Sequence, residues 1–297
     1  PRWEKGSEST LVMTIDSRNE VGGGGDAGLQ TMKQEITLRE RVVEGGGPAQ
    51  EKGAVVELIF ERVKVRIDTD LGGVEFDSAD PNYPDGKPSG PGGKKGDMFD
   101  EAAAAAVAPL VQQLKRMAGT TLKVTMNPDG TIASVEGGGG LATGFMGPVG
   151  GLDASKDGLA DLFGPISSLG KGSGVDPAKV KVGTKWTHND ELSLQPLGGL
   201  SMVTQHTLKS VKADDAEVYF QGSLEPKSSG QNAPVRIKQG TYRGTYQWDT
   251  RLGRLKGLST EQETVVETGT AAGGTSMKSK ATMKVVRQPG APAKRKP

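Results

Sequence analysis

The chain contains no cysteine, which excludes disulfides, thiolate nucleophiles, iron–sulfur clusters and cysteine-ligated zinc in one step. Cysteine avoidance fits bacterial export, where an unpaired thiol is oxidised, without fixing the compartment. Histidine is scarce as well, with His188 and His206 the only two. Aromatic residues make up 4% of the chain, so a core must be built mainly from Val, Leu, Ile and Met. Neither sign of charge is in surplus: 37 basic side chains face 36 acidic ones, for a net charge of +1. That leaves no long-range field to gather nucleic acid or an anionic lipid surface. No run reaches the 18 or so apolar residues of a membrane-spanning helix. Pro1 is not followed by the charged and then apolar stretch of a signal peptide, so any such peptide is expected to have been removed already.

Glycine is abundant, at 45 of 297 residues. The chain is long enough to bury a real core, as two domains or one large β domain, and must be rich in connections. Period-two alternation dominates the N-terminal part. Leu11, Met13 and Ile15 share one parity, as do Met32, Ile36, Leu38 and Val42. Residues 54–67 alternate through Val56, Leu58 and Phe60, then through Val63, Val65 and Ile67. The change of parity at Glu61 and Arg62 predicts a β-bulge.

Residues 79–97 read as a long mobile loop of Pro, Gly, Asp and Lys. A helix is expected over about 97–118. Ala102 to Ala106 favour it, Val107, Leu110, Val111, Leu114 and Met117 form an apolar stripe, Pro109 kinks it, and Gly119 stops it. A hairpin follows, turning at Asn127-Pro128-Asp129-Gly130. Further strands are predicted near 180–194, 201–211, 215–225, 235–248, 252–269 and 275–287, with turns at 212–215, 249–253 and Gly273-Gly274. The strings KVTMNPDGTIASVEG (123–137) and TYQWDTRLGRLKGLS (245–259) share a strand, an Asp-containing turn ending in Gly and a second strand, and the pairing of Trp3 and Gly6 parallels that of Gly183 and Trp186. A duplication is therefore left open.

The fold class read from this is mainly β (β-rich α+β), with antiparallel sheets in two halves and one kinked helix packed on the N-terminal sheet. The expected divisions are an N-terminal half at 1–136, a glycine-rich linker at 137–174 with a short helical piece around Leu159, Leu162 and Phe163, a C-terminal half at 175–287 and a disordered tail at 288–297.

Chemistry-bearing candidates are few. His188 or His206 could act as a general base, but neither lies in a nucleophile elbow or a metal-binding H-E-x-x-H pattern. Asp68 and Asp70 begin like a calcium loop that no third ligand or terminal Glu completes. Asp77, Asp80 and Asp85 could bind a cation, yet they are also ordinary turn formers. The glycine runs at 22–25, 45–47 and 137–140 lack the Lys-Ser/Thr of a phosphate cradle. Met32, Leu38, Val42, Leu58 and Phe60 could line a ligand cavity or simply pack a core. The expectation is no catalytic residue, no metal site and no cofactor.

Trp-Glu-Lys-Gly at 3–6, a strand ending in Phe76-Asp77-Ser78, a polar loop, a helix, NPDGTIASVEG, then VKVGTKW and Tyr242-Arg243-Gly244-Thr245-Tyr246 together resemble an uncharacterised family of bacterial exported proteins and lipoproteins, a domain of unknown function. The layout also resembles the half-barrel lipoprotein carriers of the bacterial periplasm. These resemblances imply a periplasmic or extracellular protein of the cell envelope. A binding or carrier role for a hydrophobic molecule, a structural or protein-interaction role in the envelope, and a hydrolase remain as readings, in that order.

Overall fold

The structure, a computed structural model, describes residues 2–22, 28–47, 51–70, 72–81, 87–89, 112, 114–128, 132–137, 180–194, 198–226, 235–270 and 273–290. Thirteen strands follow in chain order: β1 (Glu8–Gly22), β2 (Gly28–Glu44), β3 (Ala54–Thr69), β4 (Gly72–Asp77), β5 (Lys87–Ser89), β6 (Thr121–Met126), β7 (Ile132–Gly137), β8 (Lys185–Leu194), β9 (Gly198–Lys212), β10 (Asp215–Pro226), β11 (Val235–Asp249), β12 (Arg254–Thr270) and β13 (Gly273–Pro289). All belong to one antiparallel sheet of order β5-β4-β3-β2-β1-β13-β12-β11-β10-β9-β8, with β6 and β7 branching from β3.

Alternation decides which face each strand buries. On β1 Leu11, Met13 and Ile15 are buried while Asp16, Arg18 and Glu20 are exposed. Ile36, Leu38 and Val42 on β2 continue the buried face. On β3 the buried set is Val56, Leu58 and Phe60, then Val63, Val65 and Ile67. Thr37 pairs with Arg62 and Leu38 with Phe60, so Glu61 is the extra residue of a bulge at the predicted place. The extra residue lets both halves of a long strand keep their apolar side chains on one face.

The same point is where the sheet forks. The first half of β3 pairs with β6 and the second with β4. Phe60 donates its N–H to Thr120 O (3.0 Å) and accepts from Gly119 N (2.8 Å), while Arg62 Nε donates to Asp77 Oδ1 (3.0 Å) at the end of β4. Backbone bonds fix both arms, Ser78 N donating to Val63 O (2.9 Å) on the β4 side, and the charged pair adds to the second.

Beyond the fork, β1-β2-β3-β6-β7 and β8-β9-β10-β11-β12 are two antiparallel meanders built alike. Each opens on a tight turn with glycine at positive φ, Gly6 at +80° and Gly183 at +92°. Ser7 N donates to Glu4 O in one turn and Thr184 N to Lys181 O in the other. Gly6 N then donates to Val42 O, and Ser7 O accepts from Val42 N. Gly183 N and Thr184 O make the matching pair with Leu208. The β6–β7 hairpin shifts register between Thr125 and Met126, and the β11–β12 hairpin between Gln247 and Trp248. These are corresponding positions of the two strings matched in the sequence.

Several expectations need correction. The two halves do not carry separate sheets: β13 pairs with β1 from Ser9–Pro289 to Gly22–Ser276 and with β12 on its other side. This pairing satisfies two long edges that would otherwise stay unpaired. Among the described residues the fold is mainly β with almost no helix. Of the kinked helix expected over 97–118 and packed on the N-terminal sheet, the described residues include one turn at 114–117, ending at Gly119 with φ +81°. One turn presents only Leu114 and Met117 to the core, and both are buried there. The rest of that helix and its Pro109 kink lie outside the described residues.

Within the expected loop, residues 87–89 form β5, whose Pro88 is tolerated because the strand pairs on one side only. Gln288 and Pro289, assigned to a disordered tail, pair with Thr10 and Ser9. Residues 291–297 and nearly all of 137–174 lie outside the described residues, as do the turn residues Asp129 and Gly130.

Candidate functional site

The buried face of the C-terminal meander is built from rings laid over glycines. Three alternate cross-strand pairs of β10 and β11 set a large side chain against a glycine: Phe220–Gly244, Gly222–Tyr242 and Leu224–Gly240. A Cβ on Gly244 would stand 2.7 Å from the Phe220 ring, and one on Gly222 would stand 2.4 Å from the Tyr242 ring. Tyr242 therefore lies across Gly222 and hydrogen-bonds the Thr204 hydroxyl on the next strand.

Around this floor Trp186 stacks on His206 with centroids 5.2 Å apart and planes 7° from parallel. Tyr246 meets His206 edge-on at 6.1 Å and Phe220 at 6.0 Å. His206 is 4% exposed. Its pKa is lowered to about 4, chiefly by burial and secondarily by the charge of His188, so the ring is neutral at pH 7. Burial also pushes the Tyr246 hydroxyl above its ordinary range. Trp186 Nε1, His206 Nδ1 and Tyr246 OH are buried without a hydrogen-bond partner. The rings of Trp186, Phe220 and Tyr246 thus surround His206.

A second cluster sits where the two meanders join. Glu40 on β2 is 1% exposed. Its Oε1 accepts from Ser9 Oγ on β1 (2.9 Å) and from Arg287 Nη1 on β13. Arg287 also donates to Ser9 Oγ (2.8 Å) and to Leu255 O (2.7 Å), and Arg254 Nη1 lies 3.7 Å from the same carboxylate oxygen. Burial, and then the neighbouring Arg287, lower the pKa of Arg254. The cluster is a staple across β2, β1, β13 and β12. No local pattern announces it, since Glu40 and Arg287 are 247 residues apart.

The residues singled out in the sequence are dispersed. His188 is half-buried on β8, opposite Thr204. Asp68 pairs with Arg66 (2.8 Å), Asp70 accepts from Leu29 N (2.8 Å), and Asp77 is held by Arg62 and accepts from Ala79 N (3.0 Å). The Arg62 hydrogen bond draws the Asp77 carboxyl below its usual range. Asp80 donates its N–H to Asp77 O, and Asp85 lies outside the described residues. Among the described residues no three His, Asp or Glu gather as metal ligands.

Gly46 packs so closely that a Cβ would stand 2.2 Å from Gly53 O, which explains that glycine run as close packing. Gly22 ends β1 and Gly137 ends β7, while 23–25 and 138–140 lie outside the described residues. Met32 is half-buried, and Leu38, Val42, Leu58 and Phe60 are fully buried in the apolar core. On the opposite face an open groove of about 730 Å³ crosses Thr187, Gln205, Gln221, Arg243 and Glu261, the last two ion-paired at 2.7 Å.

Comparison with known proteins gives a family and distant likenesses. No curated protein matches the chain. A family described as of unknown function, DUF6263, matches residues 52–254, about two thirds of the chain. A solved structure concerning lipid–protein interactions in lipovitellin aligns with 99% of this chain and 26% of its own, at 10% identity and a TM-score of 0.44. This chain therefore spans about a quarter of that one. OccK7 (OpdD) of Pseudomonas aeruginosa aligns over 96% of this chain and 100% of its own, at 5% identity and a TM-score of 0.19. The transport unit of the autotransporter AIDA-I from Escherichia coli aligns over 95% and 90%, at 8% identity and a TM-score of 0.20.

Proposed function

The chain belongs to the DUF6263 family, of unknown function, and we propose that it is a non-catalytic protein of the bacterial cell envelope, periplasmic or extracellular, that binds or carries a hydrophobic molecule. The observation that carries this reading is the one-sidedness of the sheet. Apolar side chains of β1, β2, β3 and β6, and then the rings of β8 to β11, lie on a single face, while ion pairs such as Arg39–Glu61, Lys64–Glu75 and Lys280–Glu263 occupy the other. Among the described residues that face is carried by one antiparallel sheet, and its apolar side chains gather into a single wide core in which Leu11, Ile36, Leu38 and Tyr246 are buried; a wide apolar interior of this kind is where a hydrophobic ligand would be held. The envelope location rests on the lack of cysteine and on the family resemblance.

The test is organic extraction of the purified full chain followed by mass analysis of the extract. Recovery of a stoichiometric hydrophobic compound supports the reading. An empty extract from a chain that assembles into oligomers would favour a structural role instead.

A further inference from the structure

The outward face of β8 to β12 carries a trough, and register accounts for it. Val203, Ser223 and Thr241 are neighbours across β9, β10 and β11, and their short side chains form its floor. Two residues along each strand, on the same face, lies a second row: Thr187, Gln205, Gln221, Arg243 and Glu261, each paired with the one before it. All five are exposed, and from Gln205 onward they are long enough to wall the trough along one side. The two rows together line the open groove of about 730 Å³.

The wall is planar in its chemistry and neutralises itself. Arg243 donates from Nε (2.9 Å) and Nη2 (2.7 Å) to the one oxygen Glu261 Oε2, so Oε1 remains an acceptor. Glu263, opposite Thr241 at the end of the floor, is paired with Lys280 (2.8 Å). Gln221 Oε1 accepts from Tyr219 OH (3.1 Å), which holds the amide and leaves its N–H groups as donors. The charged residues lining the groove are thus already compensated. Neighbouring strands lie about 4.8 Å apart, so the row across five strands sets out its donors and acceptors in equal steps over about 19 Å.

We infer that this groove binds a neutral polysaccharide of extended, β-1,4-linked pyranose rings lying across the strands. Successive rings of such a chain advance by close to the strand spacing of about 4.8 Å, so each ring meets the next side chain of the row. The amides of Gln205 and Gln221 exchange hydrogen bonds with ring hydroxyls, and Glu261 Oε1 accepts another. An anionic chain would set like charge against Glu261 and Glu263 while Arg243 and Lys280 are already paired. An apolar chain would strip water from the row without replacing its hydrogen bonds. The groove lies on the face opposite the apolar core, so the inference stands apart from the carrier reading.

Isothermal titration of the full chain with three tetrasaccharides tests it. They are cellotetraose; maltotetraose, which has the same rings in a curved α-1,4 chain; and the β-1,4-linked glucuronate tetramer, which keeps the extended shape and adds charge. The wild type is expected to bind cellotetraose about tenfold more tightly than either of the others, the worth of about two hydrogen bonds. The double variant Gln205→Ala, Gln221→Ala is expected to weaken cellotetraose binding about tenfold for the same reason. Ser223→Tyr, which fills the floor, is expected to abolish it. Substitutions on an outward strand face seldom disturb folding, and an unchanged urea midpoint checks this for each variant; should one unfold, the other carries the test.

Equal affinity for cellotetraose and maltotetraose, tighter binding of the charged tetramer, binding unaffected by the substitutions, or no binding of any of the three would overturn the assignment and leave the groove as a hydrated sheet face.

Discussion

Glu40 and Arg287 show how much can depend on residues with no local signature. A carboxylate taken almost wholly out of water is stable only because Ser9 and Arg287 donate to it and Arg254 stands close by. Removing one member of a buried pair strands the other charge, at a cost of about 3–5 kcal/mol. Glu40→Ala is therefore expected to lower the unfolding free energy by that amount in urea titration, well beyond the effect of breaking the exposed Arg18–Glu20 pair.

His206 makes a second residue-scale prediction. Its folded pKa of about 4 lies below the ordinary value of 6.5. Between those values the unfolded chain takes up a proton that the folded one refuses. The stability tied to His206 is thus complete above pH 6.5 and is lost as the pH falls towards 4, by up to on the order of 3 kcal/mol. Carboxylates also contribute to acid sensitivity, so the comparison is with His206→Phe, whose stability is expected to fall less between pH 6.5 and 4. Identical pH profiles would show that His206 is not buried neutral.

Among the elements, the helical turn at 114–117 is the smallest with a large expected effect. Leu114 is 0% exposed, and the turn delivers the chain from the described core to β6 beside Phe60. Leu114→Ala is expected to cost about 2–5 kcal/mol in denaturant unfolding, as for other large-to-small changes in cores. A cost under about 1 kcal/mol would mean that the turn is a loose cover. The strands around it were legible because burial on one face imposes period two. The bulge at Glu61 was legible because a parity change has no other cheap solution. The six C-terminal strands fell close to their predicted spans for the same reason.

What could not be read locally was pairing. β5 is three residues long with a proline at its centre, and it exists because β4 offers an edge. The helix propensity of 102–106 and the apolar stripe suggested a long amphipathic element, of which the described residues show Leu114 and Met117 buried in the core. The aromatic floor went unnoticed because Gly222, Gly240 and Gly244 read as weak strand residues until register puts each beneath a large side chain.

At the scale of the whole molecule, two similar meanders share one sheet through β13, and the result is a broad layer with a charged face and an apolar face. That arrangement is the basis of the carrier reading, because a ligand held on the buried face stabilises the folded chain by mass action. The most direct measurement is the thermal unfolding temperature of the full chain before and after delipidation, and again after adding back the extracted material. The account predicts a fall of several degrees on delipidation, about what a few kcal/mol produces in a chain of this size, and recovery on add-back. A melting temperature unchanged by both treatments would contradict it.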